Sequence, residues 1–138
     1  MKPTVLFLCT GNSARSQMAE GFLRHIARDR FEALSAGTNP STLNPLAVEV
    51  MREVGVEISN QRAKHVDEFL CVPKQYVVTL CSSAKEKCPI SLATVKFLHW
   101  DLQDPAAAER STEQRRAVFR KVRDEILVHI EREFGTST

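Results

Sequence analysis

Apolar residues are distributed along this chain in two alternating rhythms. Residues 4–9 (TVLFLC) form a short continuous apolar run, the pattern of a strand buried on both faces, and Thr10-Gly11-Asn12-Ser13 breaks it with turn-forming residues. From Arg15 the spacing turns helical, with Met18, Phe22 and Ile26 recurring every four residues and Ala19 and Leu23 beside them. Residues 31–35 (FEALS) read as a second strand, closed by Ala36-Gly37. Pro45 opens a helix with Leu46, Val50 and Val54 on one stripe, stopping near Gly55. Val77-Val78-Thr79-Leu80 reads as a third buried strand running into Cys81, and Val95 to Leu98 as a fourth. The last long segment carries Phe119, Val122, Ile126, Ile130 and Phe134 on one face, an amphipathic helix ending around Gly135. Thr136-Ser137-Thr138 should fray.

Strands alternating with helices predict a single α/β domain over residues 1–138. Its core should be a central four-stranded parallel sheet flanked by helices on both faces and joined by right-handed crossovers. The length of 138 residues suits one domain, and 43% hydrophobic against 26% charged residues is the balance of a soluble globular protein. A net charge of +2 leaves no electrostatic footprint for nucleic acid or membrane. The longest apolar run, Val5 to Cys9, falls far short of the roughly 20 residues of a membrane span and is too short for a signal peptide, so a cytoplasmic location is expected. No exposed apolar stripe is evident, and a monomer is the default.

Four cysteines, at 9, 71, 81 and 88, are too few for a disulfide scaffold in a chain this long. In open parallel sheets ligands sit outside the carboxyl ends of the strands, and Cys9 and Cys81 both fall there. Cys9-Thr10-Gly11-Asn12-Ser13-Ala14-Arg15 sets a cysteine and an arginine six positions apart across a tight loop that enters a helix. The N–H groups of such a loop, with the unpaired amides of the helix N-terminus, make a concave anion site. Arg15 adds a permanently charged planar fork suited to an oxyanion. The same positive surroundings favour a thiolate at Cys9, set for nucleophilic attack on the central atom of a bound oxyanion. Ser16 is placed to steady that thiolate with its hydroxyl. The loop is not a nucleotide-binding one, since no Gly-Lys-Ser/Thr follows.

Cys9-x5-Arg15-Ser16 resembles the phosphate loop of the low-molecular-weight protein tyrosine phosphatase fold. The longer string CTGNSARSQMAEG (9–21) is similar, more specifically, to the thioredoxin-coupled arsenate reductases of that fold. Cys81 and Cys88 frame the polar segment Ser82-Ser83-Ala84-Lys85-Glu86-Lys87. Two thiols that end as a disulfide can reduce an oxyanion by two electrons, and a third can carry that disulfide to the surface. Seven residues of helix would separate the two ends by roughly 10.5 Å, against the about 4.4–6.8 Å that disulfide Cα atoms require. The segment 81–88 must therefore loop, or unwind on oxidation. A zinc site is disfavoured, because the gap is wide and only His99 lies near in sequence, so no metal is expected.

The stretch VVTLCSSAKEKCP (77–89), then Lys96-Phe97-Leu98-His99-Trp100 and Asp104-Pro105-Ala106, resembles the same reductases. This resemblance implies that Cys9 attacks arsenate while Arg15 and the amides of Thr10, Gly11, Asn12, Ser13 and Ala14 hold its oxygens. Asp104 protonates the departing oxygen, for which it must hold its proton when attack occurs, a state that burial near the anion favours. Cys81 then attacks the Cys9 adduct, and Cys88 resolves the resulting disulfide to Cys81–Cys88. Thioredoxin is the implied reductant, with no tightly bound cofactor. Arsenate is the implied substrate, with phosphate and sulfate as competitors.

Some relatives also bind potassium near the loop, through positions matching Asn12, Glu20, Ser35 and an aspartate that aligns with Lys64 here. The Lys64 ammonium is expected to take the cation's place beside Glu20. Some relatives carry a cysteine where this chain has Ala14, and no role above needs one. Cys71 is expected to be buried, Trp100 to be core or a loop anchor, and the histidines to sit at the surface or behind the site. Arg115, Arg116, Arg120 and Arg123, interleaved with acids, read as a solvated face. Two rival functions stand beside the reductase. One is a low-molecular-weight tyrosine phosphatase using Cys9, Arg15 and Asp104, against which the Cys81/Cys88 pair and Ala106 count. The other is a non-catalytic oxyanion or redox sensor.

Overall fold

The computed structural model describes residues 2–80, 96–105 and 111–135. Cys81, Cys88, Ala106 and the three C-terminal residues lie outside them. The chain runs β1 (Thr4–Cys9), α1 (Arg15–Ala27), β2 (Glu32–Gly37), α2 (Pro45–Arg52), a 3-10 turn (Val66–Phe69), β3 (Tyr76–Thr79), β4 (Lys96–His99) and α3 (Thr112–Phe134). The sheet order is β2-β1-β3-β4, with every neighbour parallel. The fold is thus a single α/β domain on a four-stranded parallel sheet, as the alternating rhythm predicts. The chain leaves β1 for β2 on one side and later returns to β3 on the other. That reversal opens a crevice at the carboxyl end of β1, where Cys9 stands.

Val5, Leu6, Phe7 and Leu8 are all fully buried, so both faces of the central strand are covered. One face meets an aromatic cluster in which Phe134 of α3 packs against Phe7, Phe31, Tyr76 and Trp100 at centroid distances of 5.2–6.4 Å. Trp100 is core, and it stacks on His129 at 4.8 Å. Burial there pushes the His129 imidazole below its ordinary range.

Three expectations change. β2 runs two residues past 31–35, to Gly37, because its pairing with β1 continues as far as Cys9. Cys71 is exposed, not buried. The 3-10 turn before it puts Val66 and Phe69 on one face against the core, and Leu70 and Cys71 fall off that face. Arg116, Arg120 and Arg123 of α3 are not a solvated fringe. Arg116 reaches Glu49 at 2.8 Å, Arg120 grips Glu53 at 2.6 Å, and Arg123, 9% exposed, bonds both Glu53 and the Val50 carbonyl at 2.9 Å. They clamp α3 onto α2. A helical pattern marks which residues are charged but not which neighbouring helix supplies their partners.

Candidate active site

The loop from Cys9 to Ala14 has each of its carbonyls bonded away from the thiol. Thr38 N–H donates to Cys9 O (3.3 Å), Asn39 to Thr10 O (2.9 Å), Ser41 to Gly11 O (2.9 Å) and Asn44 to Ser13 O (2.8 Å). The Gln17 amide donates to Asn12 O at 2.9 Å and Met18 N–H to Ala14 O at 2.8 Å. The segment after β2 therefore runs along the loop as an extra layer. With the oxygens occupied on the outside, the N–H groups are left for the concave side. Asn12 makes the turn in the left-handed region, at φ 48°.

Helix α1 begins at the end of this loop without a side-chain cap. Among the described residues the other two α-helices are capped, α2 by Asn44 and α3 by a reciprocal Ser111–Gln114 box. An uncapped N-terminus beside an amide-lined loop is a place where an anion can complete the hydrogen bonding. The cavity here is about 530 Å³, lined by Cys9, Thr10, Gly11, Ser13, Ala14, Arg15, Ser41 and Asp104.

Arg15, 9% exposed, anchors its guanidinium on the Leu102 carbonyl at 2.9 Å and the Leu80 carbonyl at 3.4 Å. Leu80 precedes Cys81 in sequence; Cys81 and Cys88 themselves are outside the described residues. Asp104 faces Arg15 at 3.8 Å, with its side chain 46% exposed. The expected burial of this carboxyl is therefore not met. It sits on the cavity rim, on the loop after β4, turned toward the guanidinium.

Cys9 Sγ, 2% exposed as a residue, lies 2.9 Å from Ser16 Oγ, and Asn12 Nδ2 donates to that same oxygen at 2.7 Å. Behind the loop, Ser35 donates to Glu20 Oε1 at 2.5 Å, and the Lys64 ammonium stands 3.6 Å from the same oxygen. The ammonium also reaches Ser35 Oγ at 3.5 Å and the Arg62 carbonyl at 2.7 Å. The Lys64 N–H donates to Asn12 Oδ1 at 2.8 Å, tying this polar cluster to the loop. Burial lowers the Lys64 ammonium below the usual lysine range, against the opposing attraction of Glu20. Among the described residues no cluster of His, Cys, Asp and Glu could hold a metal ion.

Sequence reasoning missed Ser41, Gln17 and Gln61. The parallel topology could have pointed to Ser41, because the loop leaving β2 must pass the carboxyl end of β1. Gln17 and Gln61 carry no such signal, since Gln61 pairs with Arg24 and Gln17 far away in sequence, and Gln17, beside its near neighbour Asn12, meets Gln61 and Arg62 only through the fold.

Sheet and loop together are the architecture of a cysteine-centred phosphate-loop domain. The chain belongs to the low molecular weight phosphotyrosine protein phosphatase family, whose model matches residues 4–134. It is 49% identical over 131 residues to an arsenate reductase of Shouchella clausii, covering 95% of this chain and 94% of that one. Among solved structures, an arsenate reductase in the phosphate binding state superposes with TM-score 0.81 at 33% identity, over 96% of this chain and 95% of that one. A thioredoxin-dependent arsenate reductase of Corynebacterium glutamicum superposes with TM-score 0.72 at 28% identity, over 95% of this chain and 61% of that one. No helix among the described residues is long and apolar enough to cross a membrane.

Proposed function

We propose that this protein reduces arsenate to arsenite through a three-cysteine relay that thioredoxin recharges. The observation that carries the reading is the loop at Cys9, whose carbonyls are all bonded outward around a thiol beside Arg15. Arsenate enters the cavity and its oxygens take the amides of Thr10 to Ala14 and the Arg15 guanidinium. Cys9 Sγ attacks arsenic and an oxygen departs as water, protonated by Asp104.

Cys81 then attacks Cys9 Sγ. The sulfur–arsenic bond breaks with its electron pair going to arsenic, which leaves as arsenite, and a Cys9–Cys81 disulfide remains. Cys88 attacks Cys81, releasing the Cys9 thiolate and forming Cys81–Cys88, which thioredoxin reduces. Supporting this are the resemblance across both cysteine motifs and the thioredoxin-dependent relative. No tightly bound cofactor takes part. Phosphate has the shape and charge of arsenate and competes for the loop, as does sulfate. Lys64 fills the cation position behind the loop, holding Glu20 and Ser35 without a potassium ion.

The test is NADPH consumption with arsenate, thioredoxin and thioredoxin reductase, comparing wild type with Cys88→Ala. Sustained NADPH consumption by the wild type that is lost in the variant, which releases roughly one arsenite per enzyme at the expense of its own Cys9 and Cys81 thiols, is the expected result. No arsenate-dependent consumption by the wild type would sink the reading. Hydrolysis of an aryl phosphate would then point to the phosphatase.

A further inference from the structure

A continuous line of hydrogen bonds runs from Arg24 on α1 to the thiol of Cys9. Arg24 Nη1 donates to Gln61 Oε1 at 3.1 Å, and Gln61 Nε2 donates to Gln17 Oε1 at 2.7 Å. Gln17 Nε2 donates to Asn12 Oδ1 at 3.1 Å and to Asn12 O at 2.9 Å. Asn12 Nδ2 donates to Ser16 Oγ at 2.7 Å, and Ser16 Oγ lies 2.9 Å from Cys9 Sγ. Gln17, Asn12 and Ser16 are fully buried, so water does not compete along this stretch.

The direction of every bond in this line as far as Ser16 follows from its first member. A guanidinium can only donate. Gln61 must therefore turn its oxygen to Arg24, which leaves its NH2 for Gln17. Gln17 answers with its oxygen and sends its own NH2 to Asn12, with the Arg62 carbonyl as a further acceptor at 2.7 Å. Asn12 Oδ1, held by Gln17 and by the Lys64 N–H, must face away from Ser16. Its NH2 meets Ser16 Oγ and takes one of its lone pairs, which leaves the hydroxyl proton of Ser16 available for a deprotonated Cys9. Reversing any amide would make two donors or two acceptors collide.

We propose that Gln17 and Gln61 are positioning residues that fix the polarity of this line, so that Ser16 always donates to Cys9 and holds it as a reactive thiolate. This deepens the reading of Cys9 as the nucleophile and rests on it. Each bond in such a chain polarises the next, so loss of a distant member weakens the last. The ionisable groups that face Cys9 among the described residues are Arg15 from α1 and Asp104 from the loop after β4. Neither is altered by changing the glutamines.

The experiment follows alkylation of Cys9 by iodoacetamide, with the Cys9 peptide quantified by mass spectrometry so that Cys71 and the other thiols do not interfere. Rates are taken at about pH 6.5 and about pH 9.5, on either side of the ordinary thiol value. Gln17→Met keeps the length of the side chain and removes its donors. It should slow alkylation about fivefold at the lower pH, the scale of one weakened hydrogen bond, and leave the rate at the higher pH unchanged. Equal rates at both values, or equal slowing at both, would overturn the relay, because a merely structural role alters access rather than the thiolate fraction. Should Gln17→Met fail to fold, the half-buried Gln61→Met gives the same two-pH comparison. A wild-type Cys9 that barely reacts at the lower pH would sink both the relay and the nucleophile. A reactive wild type with an indifferent variant sinks the relay alone.

Discussion

Gly37→Ala should disable the loop without replacing any residue that lines the cavity. A Cβ at position 37 would stand 2.5 Å from the Thr10 carbonyl oxygen and 3.0 Å from the Asn12 amide nitrogen. Both are backbone atoms of the loop, so no side-chain rotation relieves the clash. Ordinary contact begins at 3.4 Å, and the Thr10 oxygen must therefore retreat by about 0.9 Å. That retreat pulls against the 2.9 Å bond from Asn39 and against the pairing of Cys9 with Gly37. Overpacking of this kind costs about 1–3 kcal/mol, which lowers Tm by several degrees. The larger effect is on chemistry, because a displacement of about 1 Å in positioning groups costs about 100-fold in rate. The assay pairs thermal melting with arsenate-dependent NADPH consumption and with phosphate protection of Cys9 against alkylation. Gly55→Ala is the control, since its φ of +81° strains the backbone while nothing lies within 4 Å of the new Cβ. It should lose stability and keep activity. A Gly37→Ala protein with kcat/KM within about twofold of wild type would refute the idea that the β2 end sets the shape of the loop.

Two further outcomes can be checked on the same protein. The Glu53 carboxyl is held down to about 2 from its ordinary 4.5, chiefly by its hydrogen bonds from Arg120 and then by Arg123. A lowered carboxyl stabilises fully above about 4.5 and loses that contribution as pH falls toward about 2. Glu53→Gln should therefore melt below wild type at neutral pH, with the gap closing across that acid window; a gap that ignores pH would discount the clamp between α2 and α3. Because the Lys64 ammonium already stands beside Glu20 and Ser35, activity in potassium salts should match that in sodium salts at equal ionic strength. Clear activation by potassium would show that lysine does not serve in place of the ion.

The strands and helices were legible because their signals are local. A continuous apolar run, a turn of Gly and Asn, and a four-residue repeat all lie within one short window around Cys9, Arg15 and Ser16. The errors arose where a side chain's partner is distant in sequence. Arg116, Arg120 and Arg123 of α3 looked like a solvated face because the pattern of one helix does not name the helix opposite. Cys71 looked buried because an apolar stretch does not reveal that a 3-10 turn will use only two of its residues. Asp104 was expected inside, and the loop after β4 leaves it on the rim.

By itself the sequence determined an α/β domain with a cysteine at the end of its first strand and an arginine one tight loop later. Short-range sterics and periodicity are sufficient for that. Only the tertiary structure decided that the segment after β2 would bond the loop's carbonyls outward. Only the fold, again, strung Arg24, Gln61, Gln17 and Asn12 into a line ending at the thiol. These contacts join residues brought together by sheet order and register, and a hydrogen bond depends on distance and direction that no local pattern encodes.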